Sequence, residues 1–184
     1  MLSDDTEFVH KALFPFMRRK GHVALIGVSS AVASMPFLAI GHVGSHQTER
    51  LMTLLAEARI EGLFRVVLIH HPPKLVDPRN QWRKLTDGRR FRLAIERQGA
   101  ELILHGHDHI RMMTAIKGRS GVVPVVGVPA ASGPAHGGPH AGGYALYEIA
   151  ENGPTYELTV IHRGYGRSGE IVETARVSYS VNRP

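Results

Sequence analysis

Leu102-Ile103-Leu104-His105-Gly106-His107-Asp108-His109 decides how this chain is read. An apolar run stops abruptly in histidines at alternate positions. The run predicts a buried strand of a parallel sheet, entering a tight loop at Gly106. Its end is where open α/β sheets bind ligands. Val66-Val67-Leu68-Ile69-His70-His71-Pro72-Pro73 repeats the pattern. Here Pro72 and Pro73 forbid the strand to continue. Two such strand ends joined by one helix would bring their histidines together.

Outward from these stretches, alternation of strand and helix is expected. Val23 to Val28 is nearly all apolar and reads as an inner strand. Ser45 can cap a helix from His46 to about Ile60, with Leu51, Leu54, Leu55 and Ala58 as its apolar stripe. Thr86 or Asp87 can cap a second helix to Gln98, carrying Phe91, Ala94 and Ile95 on one face. The order β, α, β, α, β from Val23 to His109 predicts a parallel sheet covered by helices. Before it, Ser3 to Lys20 reads as a helix whose last turn holds Arg18, Arg19 and Lys20, with Pro15 as a break within it. After His109, strands are expected at Ile110–Ile116, Val122–Val128, Tyr144–Ile149, Tyr156–His162 and Ile171–Val181, antiparallel or mixed. The Gly-, Pro- and Ala-rich stretch from Gly127 to Gly143 reads as a loop. No repeat or long linker divides the 184 residues, so one domain spanning 1–184 is expected.

Composition narrows the chemistry. Without cysteine, disulfides and thiolate metal sites are excluded, and any metal must be held by histidine, carboxylate or amide groups. No apolar run is long enough to cross a bilayer as a helix, and the first residues are acidic where a secretory signal would be basic. A cytoplasmic protein without a membrane partner is expected. The net charge of +6 favours anionic ligands. Arg79, Arg83, Lys84, Arg89, Arg90, Arg92 and Arg97 cluster around one helix and read as a solvated face. The run does not suggest a single-strand binding groove, so nucleic acid is not indicated.

Taken singly, each histidine reads as an exposed or hydrogen-bonded side chain. Clustered at two strand ends, His70, His107 and His109 are candidate metal ligands. A turn after Gly106 could aim His107 and His109 at neighbouring metals. His71 and His105 would support the ligands from behind or serve the structure. Asp108 is either loop surface or a carboxylate that orients a histidine. His136 and His140, in the glycine-rich loop, could complete a single-metal site with His70 and His107. Neither the metallo-β-lactamase signature, which is one residue longer, nor the histidine-triad signature, which needs apolar spacers, fits His105 to His109.

The two stretches resemble the calcineurin-like metallophosphoesterases, in particular the bacterial branch similar to cyclic-nucleotide phosphodiesterases. The residues that carry the resemblance are His70-His71-Pro72 and Gly106-His107-Asp108-His109, each after a strand, with one helix between. The resemblance covers roughly Val23 to Ile149. It implies an α/β fold, part of a four-layer α/β/β/α sandwich of mixed sheets, with the strands after His109 in the second sheet. It implies that His70 and His107 bind one divalent metal and His109 another, the metals being Mn, Fe or Zn. The substrate class implied is a small-molecule phosphate ester, a phosphomonoester or phosphodiester such as a cyclic nucleotide.

The family's upstream Asp-X-His, Gly-Asp and Gly-Asn-His segments have no counterpart here. The chain therefore reads as the carboxyl-terminal portion of such a domain. Catalytic residues cannot be assigned, and activity of the chain alone is expected to be weak or absent. Self-association, or pairing with the amino-terminal half, would complete it. The alternative is a non-catalytic binding or scaffold descendant that uses the basic surface.

Overall fold

The computed structural model describes residues 13–184 apart from Gly137, Pro139 and Arg167. Its element order is β1 Phe16–Lys20, β2 Val23–Val28, α1 Ser45–Ile60, β3 Phe64–Ile69, a 3-10 helix Pro78–Arg83, α2 Gly88–Gln98 and β4 Leu102–His105. Then come β5 Met112–Lys117, β6 Val122–Gly127, β7 Gly143–Asn152, β8 Thr155–Tyr165 and β9 Ile171–Asn182. The first six strands form one sheet in the order β1-β2-β3-β4-β6-β5, and β7-β8-β9 form a second. Strands β2, β3, β4 and β6 run parallel, and the two edges, β1 and β5, are antiparallel to their neighbours.

The parallel centre follows from the apolar runs. A strand buried on both faces has no use for alternation. One face of this sheet meets α1 and α2 through Ile26, Val67, Ile69 and Ile103, packed on Leu51, Leu55, Phe91 and Ile95. The helical stripes are those expected from the sequence, with Thr48 added at the start of α1. The opposite face meets the second sheet through Phe64, Val66, Leu102 and Val126 against Tyr156, Leu158 and Val160. The described residues thus supply an α/β/β stack, three of the four expected layers.

Several local expectations are corrected. Phe16–Lys20 is an edge strand, not the end of a helix. Gly21 turns the chain at φ +56°, and Arg18, Arg19 and Lys20 pair along β2. Charged residues suit an edge, where they discourage further pairing. Phe16 also packs against Gly27, where a Cβ would come within 2.5 Å of its ring. The expected helix from Ser3 to Ala12 lies outside the described residues. Strands β5 and β6 join the first sheet, so only β7–β9 form the second. Ser45 is the first residue of α1 rather than its cap; Gly44 holds that place. Asp87 does hold the N-cap position of α2, as expected, its carbonyl accepting from the Phe91 N–H, but its side chain makes no cap bond there. Its carboxylate instead accepts the N–H groups of Val43 (3.1 Å) and Gly44 (2.8 Å), at the positive end of α1.

The second sheet does not cover the whole first sheet. Beside β1, an open and largely apolar hollow of about 470 Å³ is bordered by Phe14, Phe16, Gly27, Leu68 and Leu104. Leu25 on the same strand as Gly27 is 37% exposed.

Candidate functional site

Register brings the two histidine clusters together. β3 and β4 are parallel neighbours with Leu68 opposite Leu104. His70 and Gly106 therefore lie two residues beyond that pair, and the Gly106 N–H donates to the His70 carbonyl at 3.1 Å. The chain then turns sharply, the Asp108 N–H bonding back to the Gly106 carbonyl at 2.9 Å. The left-handed positions of this turn are His107 (φ 71°) and His109 (φ 55°), not Gly106. Such backbone costs a non-glycine residue on the order of 1–2 kcal/mol. The turn expected at Gly106 is present, and its strain falls on the histidines themselves.

That turn sets the buried His107 ring against His70, with Nδ1 of His107 3.2 Å from Nε2 of His70. Arg83, at the end of the 3-10 helix, points its Nε at His107 Nε2 (3.5 Å) and donates to the His107 carbonyl. A guanidinium can only donate, so His107 Nε2 accepts and its Nδ1 carries the proton given to His70. Burial first, then the nearby His71, Arg83, His70 and His109, push the His107 imidazolium down to a pKa of about 4. His107 is neutral at pH 7.

Behind the pair stands His71, its ring centroid 4.2 Å from that of His107. Its Nε2 donates to the Ala39 carbonyl (3.1 Å), which leaves Nδ1 to accept from the Ser30 hydroxyl (2.8 Å). Both ring nitrogens are thus engaged, and burial lowers the pKa. His105 is also buried, with Nδ1 3.1 Å from the Gly106 carbonyl and Nε2 without a partner among the described residues. Gly127 makes room for it: a Cβ there would lie 2.6 Å from the His105 ring. Asp108 lies 3.9 Å from Arg83. His109 is exposed, as are His136 and His140. The loop of those last two borders a different cavity through Gly138 and Ala141–Gly143.

The donor set can be tested against the metals of such a site. Two nitrogens on one tetrahedral zinc, each ~2.0–2.1 Å away, stand roughly 3.3 Å apart. His70 and His107 are spaced for that, once the proton between them is displaced. Beyond this pair the fit ends. Among the described residues no group of three or more His, Asp or Glu side chains is arranged to hold a metal ion. The Asp108 carboxylate faces Arg83, and the guanidinium itself occupies the flank of His107. These residues do not fit a two-metal centre by themselves.

Three of these partners were not foreseen from sequence: Ser30, Ala39 and Arg83. Ser30 and Ala39 belong to a stretch without period, and Arg83 to a basic run that reads as surface. The signal available for Arg83 was its place near the end of the segment linking Pro73 to α2, which must pass the strand ends.

No protein-family model matches this sequence, and no curated protein matches it. Solved structures do. A dimetal phosphatase from Danio rerio aligns with a TM-score of 0.55 and 14% identity, over 77% of this chain and 40% of that one. The chain shares its fold with a dimetal phosphatase. GAP50, the anchor in the inner membrane complex of Plasmodium, also aligns with a TM-score of 0.55, at 15% identity, over 92% of this chain and 53% of that one. At such identities the likeness shows the fold alone. The chain spans about half the length of these structures. No helix among its described residues is long and apolar enough to cross a membrane.

Proposed function

We propose that this chain carries the imidazole half of a metal-dependent phosphoesterase centre, acting on phosphomonoesters or phosphodiesters, cyclic nucleotides among them. The observation that supports this most is the pairing of His70 Nε2 and His107 Nδ1 at 3.2 Å across two parallel strand ends, with His107 neutral and able to act as a ligand. His109, exposed at the next turn, is the candidate ligand for a second cation. The carboxylates come from outside the described residues, from an amino-terminal half or a second copy docked over the apolar hollow beside β1. The chain alone binds metal weakly and hydrolyses little. Its place of action is the cytoplasm.

Elemental mass spectrometry of the purified chain, after exposure to Mn or Zn, tests this. A sub-stoichiometric metal content that disappears in His107→Ala is expected. No metal in either protein, together with no hydrolysis of bis(p-nitrophenyl) phosphate, would leave the phosphoesterase reading without support.

A second reading has an observation of its own. Arg83 lies against His107 and its carbonyl, so a fixed positive charge stands where a cation would approach. This favours a non-catalytic binding or scaffold protein in which the histidines hold the loop together. Metal-free protein with an unchanged fold and undiminished stability on chelation is the outcome that selects it.

A further inference from the structure

A loop beside the histidine cluster holds apolar side chains out in solvent. Residues 31–38, Ala-Val-Ala-Ser-Met-Pro-Phe-Leu, carry no charge, and all eight are exposed. Both feet of this loop stand on His71, whose Nδ1 meets the Ser30 hydroxyl and whose Nε2 meets the Ala39 carbonyl. The second foot also rests on the 3-10 helix, the Ala39 N–H donating to the Trp82 carbonyl at 3.0 Å. Trp82 is itself exposed, as are Val32, Met35, Phe37 and Leu38. One exposed apolar residue is ordinary, but a contiguous set of them marks a surface that meets something.

The tip of the loop is strained. The Leu38 N–H bonds back to the Met35 carbonyl at 3.0 Å, closing a turn with Pro36 and Phe37 at its centre. Phe37 takes φ 69°, as the third residue of a type II turn does, a place that ordinarily belongs to glycine. Its side chain is 97% exposed and that of Met35 73%. Packing within the chain therefore does not account for a phenylalanine here, and strain of this kind gathers where a ligand is met. The neighbouring loop adds charge. Residues 72–87 hold Lys74, Arg79, Arg83 and Lys84 against Asp77 and Asp87. Both carboxylates are engaged, Asp77 with Arg79 at 2.9 Å and Asp87 with the N–H groups at the start of α1. An apolar tip beside an excess of positive charge is complementary to a surface that is anionic outside and apolar beneath.

We propose that residues 31–38 and Trp82 dock this chain on an anionic phospholipid bilayer. Phe37 and Met35 enter the boundary between headgroups and acyl chains, Trp82 lies at the level of the headgroups, and the basic loop supplies attraction to their phosphates. No segment crosses the bilayer. The expectation of no membrane partner rested on spanning runs, and a docking loop needs none. The hollow beside β1 is a separate surface, which none of these residues lines. Docking requires no metal at His70 and His107.

Cosedimentation of the full chain with vesicles tests this, in EDTA so that no cation bridges protein to lipid. The vesicles are phosphatidylcholine alone, or phosphatidylcholine mixed equally with phosphatidylglycerol. Trp82 is the one tryptophan in the chain, so its emission reports the contact. The mixed vesicles are expected to carry the protein down and shift that emission to the blue, and added salt to release it. Neutral vesicles should carry down far less. Phe37→Gly suits the left-handed backbone, so it should melt no lower than the wild type while binding the mixed vesicles about tenfold more weakly. Absence of binding to the mixed vesicles would overturn the proposal. So would binding that Phe37→Gly leaves untouched, or a lipid-free dimer that Phe37→Gly dissociates, which would assign the tip to a second copy of this chain.

Discussion

The two ends of the parallel sheet are built on opposite terms. At the amino end, Arg65 and Glu101 are buried together, each side chain 3% exposed. Arg65 Nε and Nη2 reach the two carboxylate oxygens at 2.8 and 2.6 Å, Nη1 donates to the Gln98 carbonyl at 2.8 Å, and the Arg65 N–H donates to Glu101 at 2.7 Å. Every charged atom there is answered. At the carboxyl end, His107 and His109 sit in left-handed backbone, and His105 Nε2 is buried without a partner among the described residues. Groups satisfied by the fold hold the fold together. Groups the fold leaves strained and unpaired are open to a ligand.

The comparison is broken most directly at its satisfied end. Glu101→Ala leaves a buried guanidinium without its counter-charge, which costs about 3–5 kcal/mol. Urea unfolding should show that loss in full, and His107→Ala should cost less. Equal losses from the two would erase the distinction between the ends.

The strained end is distinguished by acid. An unfolded chain takes up a proton on His107 near pH 6.5, whereas the folded chain resists it to about pH 4. Between those values the unfolded state binds more protons, so stability is whole above pH 6.5 and drains away as pH falls. The slope per such group is at most ~1.4 kcal/mol per pH unit. His71, His105 and His162 are shifted the same way by burial and add to the fall. In EDTA, His107→Gln should lessen the slope between pH 6.5 and 4 by about one proton's worth. An unchanged slope would mean that His107 is not held neutral by the fold.

These two ends differ in how far they could be read in advance. The strand-end histidines announced themselves, because an apolar run followed by His70 or His107 states both an element and its limit. The Arg65–Glu101 pair was passed over, although both residues sit one place before the paired Val66 and Leu102. Sliding the two strands into register would have set the charges side by side. The helix expected through Arg18-Arg19-Lys20 failed because a basic run suits a helix end and a sheet edge equally, and only pairing with β2 decides. β6 was placed in the wrong sheet for a similar reason: nothing local in Val122–Gly127 says that its partner is β4. Arg83 reaches His107 through a fold contact that periodicity does not encode.

The smallest expected change in stability is the one that best separates the two readings of the histidine end. Arg83 is 26% exposed and 3.9 Å from Asp108, so Arg83→Gln should alter unfolding free energy by no more than ~1 kcal/mol. Its effect on cations should be larger than its effect on folding. A guanidinium beside His107 repels a divalent ion approaching His70 and His107, by several kcal/mol in a partly screened setting of effective dielectric ~20. Allowing for solvent and for the arginine swinging aside, Arg83→Gln should bind zinc about tenfold more tightly than the wild type in a calorimetric titration. That result would mean the imidazole pair is a ligand set held closed, and that whatever completes the centre must first draw Arg83 away. Equal zinc affinity in both proteins would show that the guanidinium does not guard the pair. The weakness of the site would then rest on the carboxylates that the described residues do not supply.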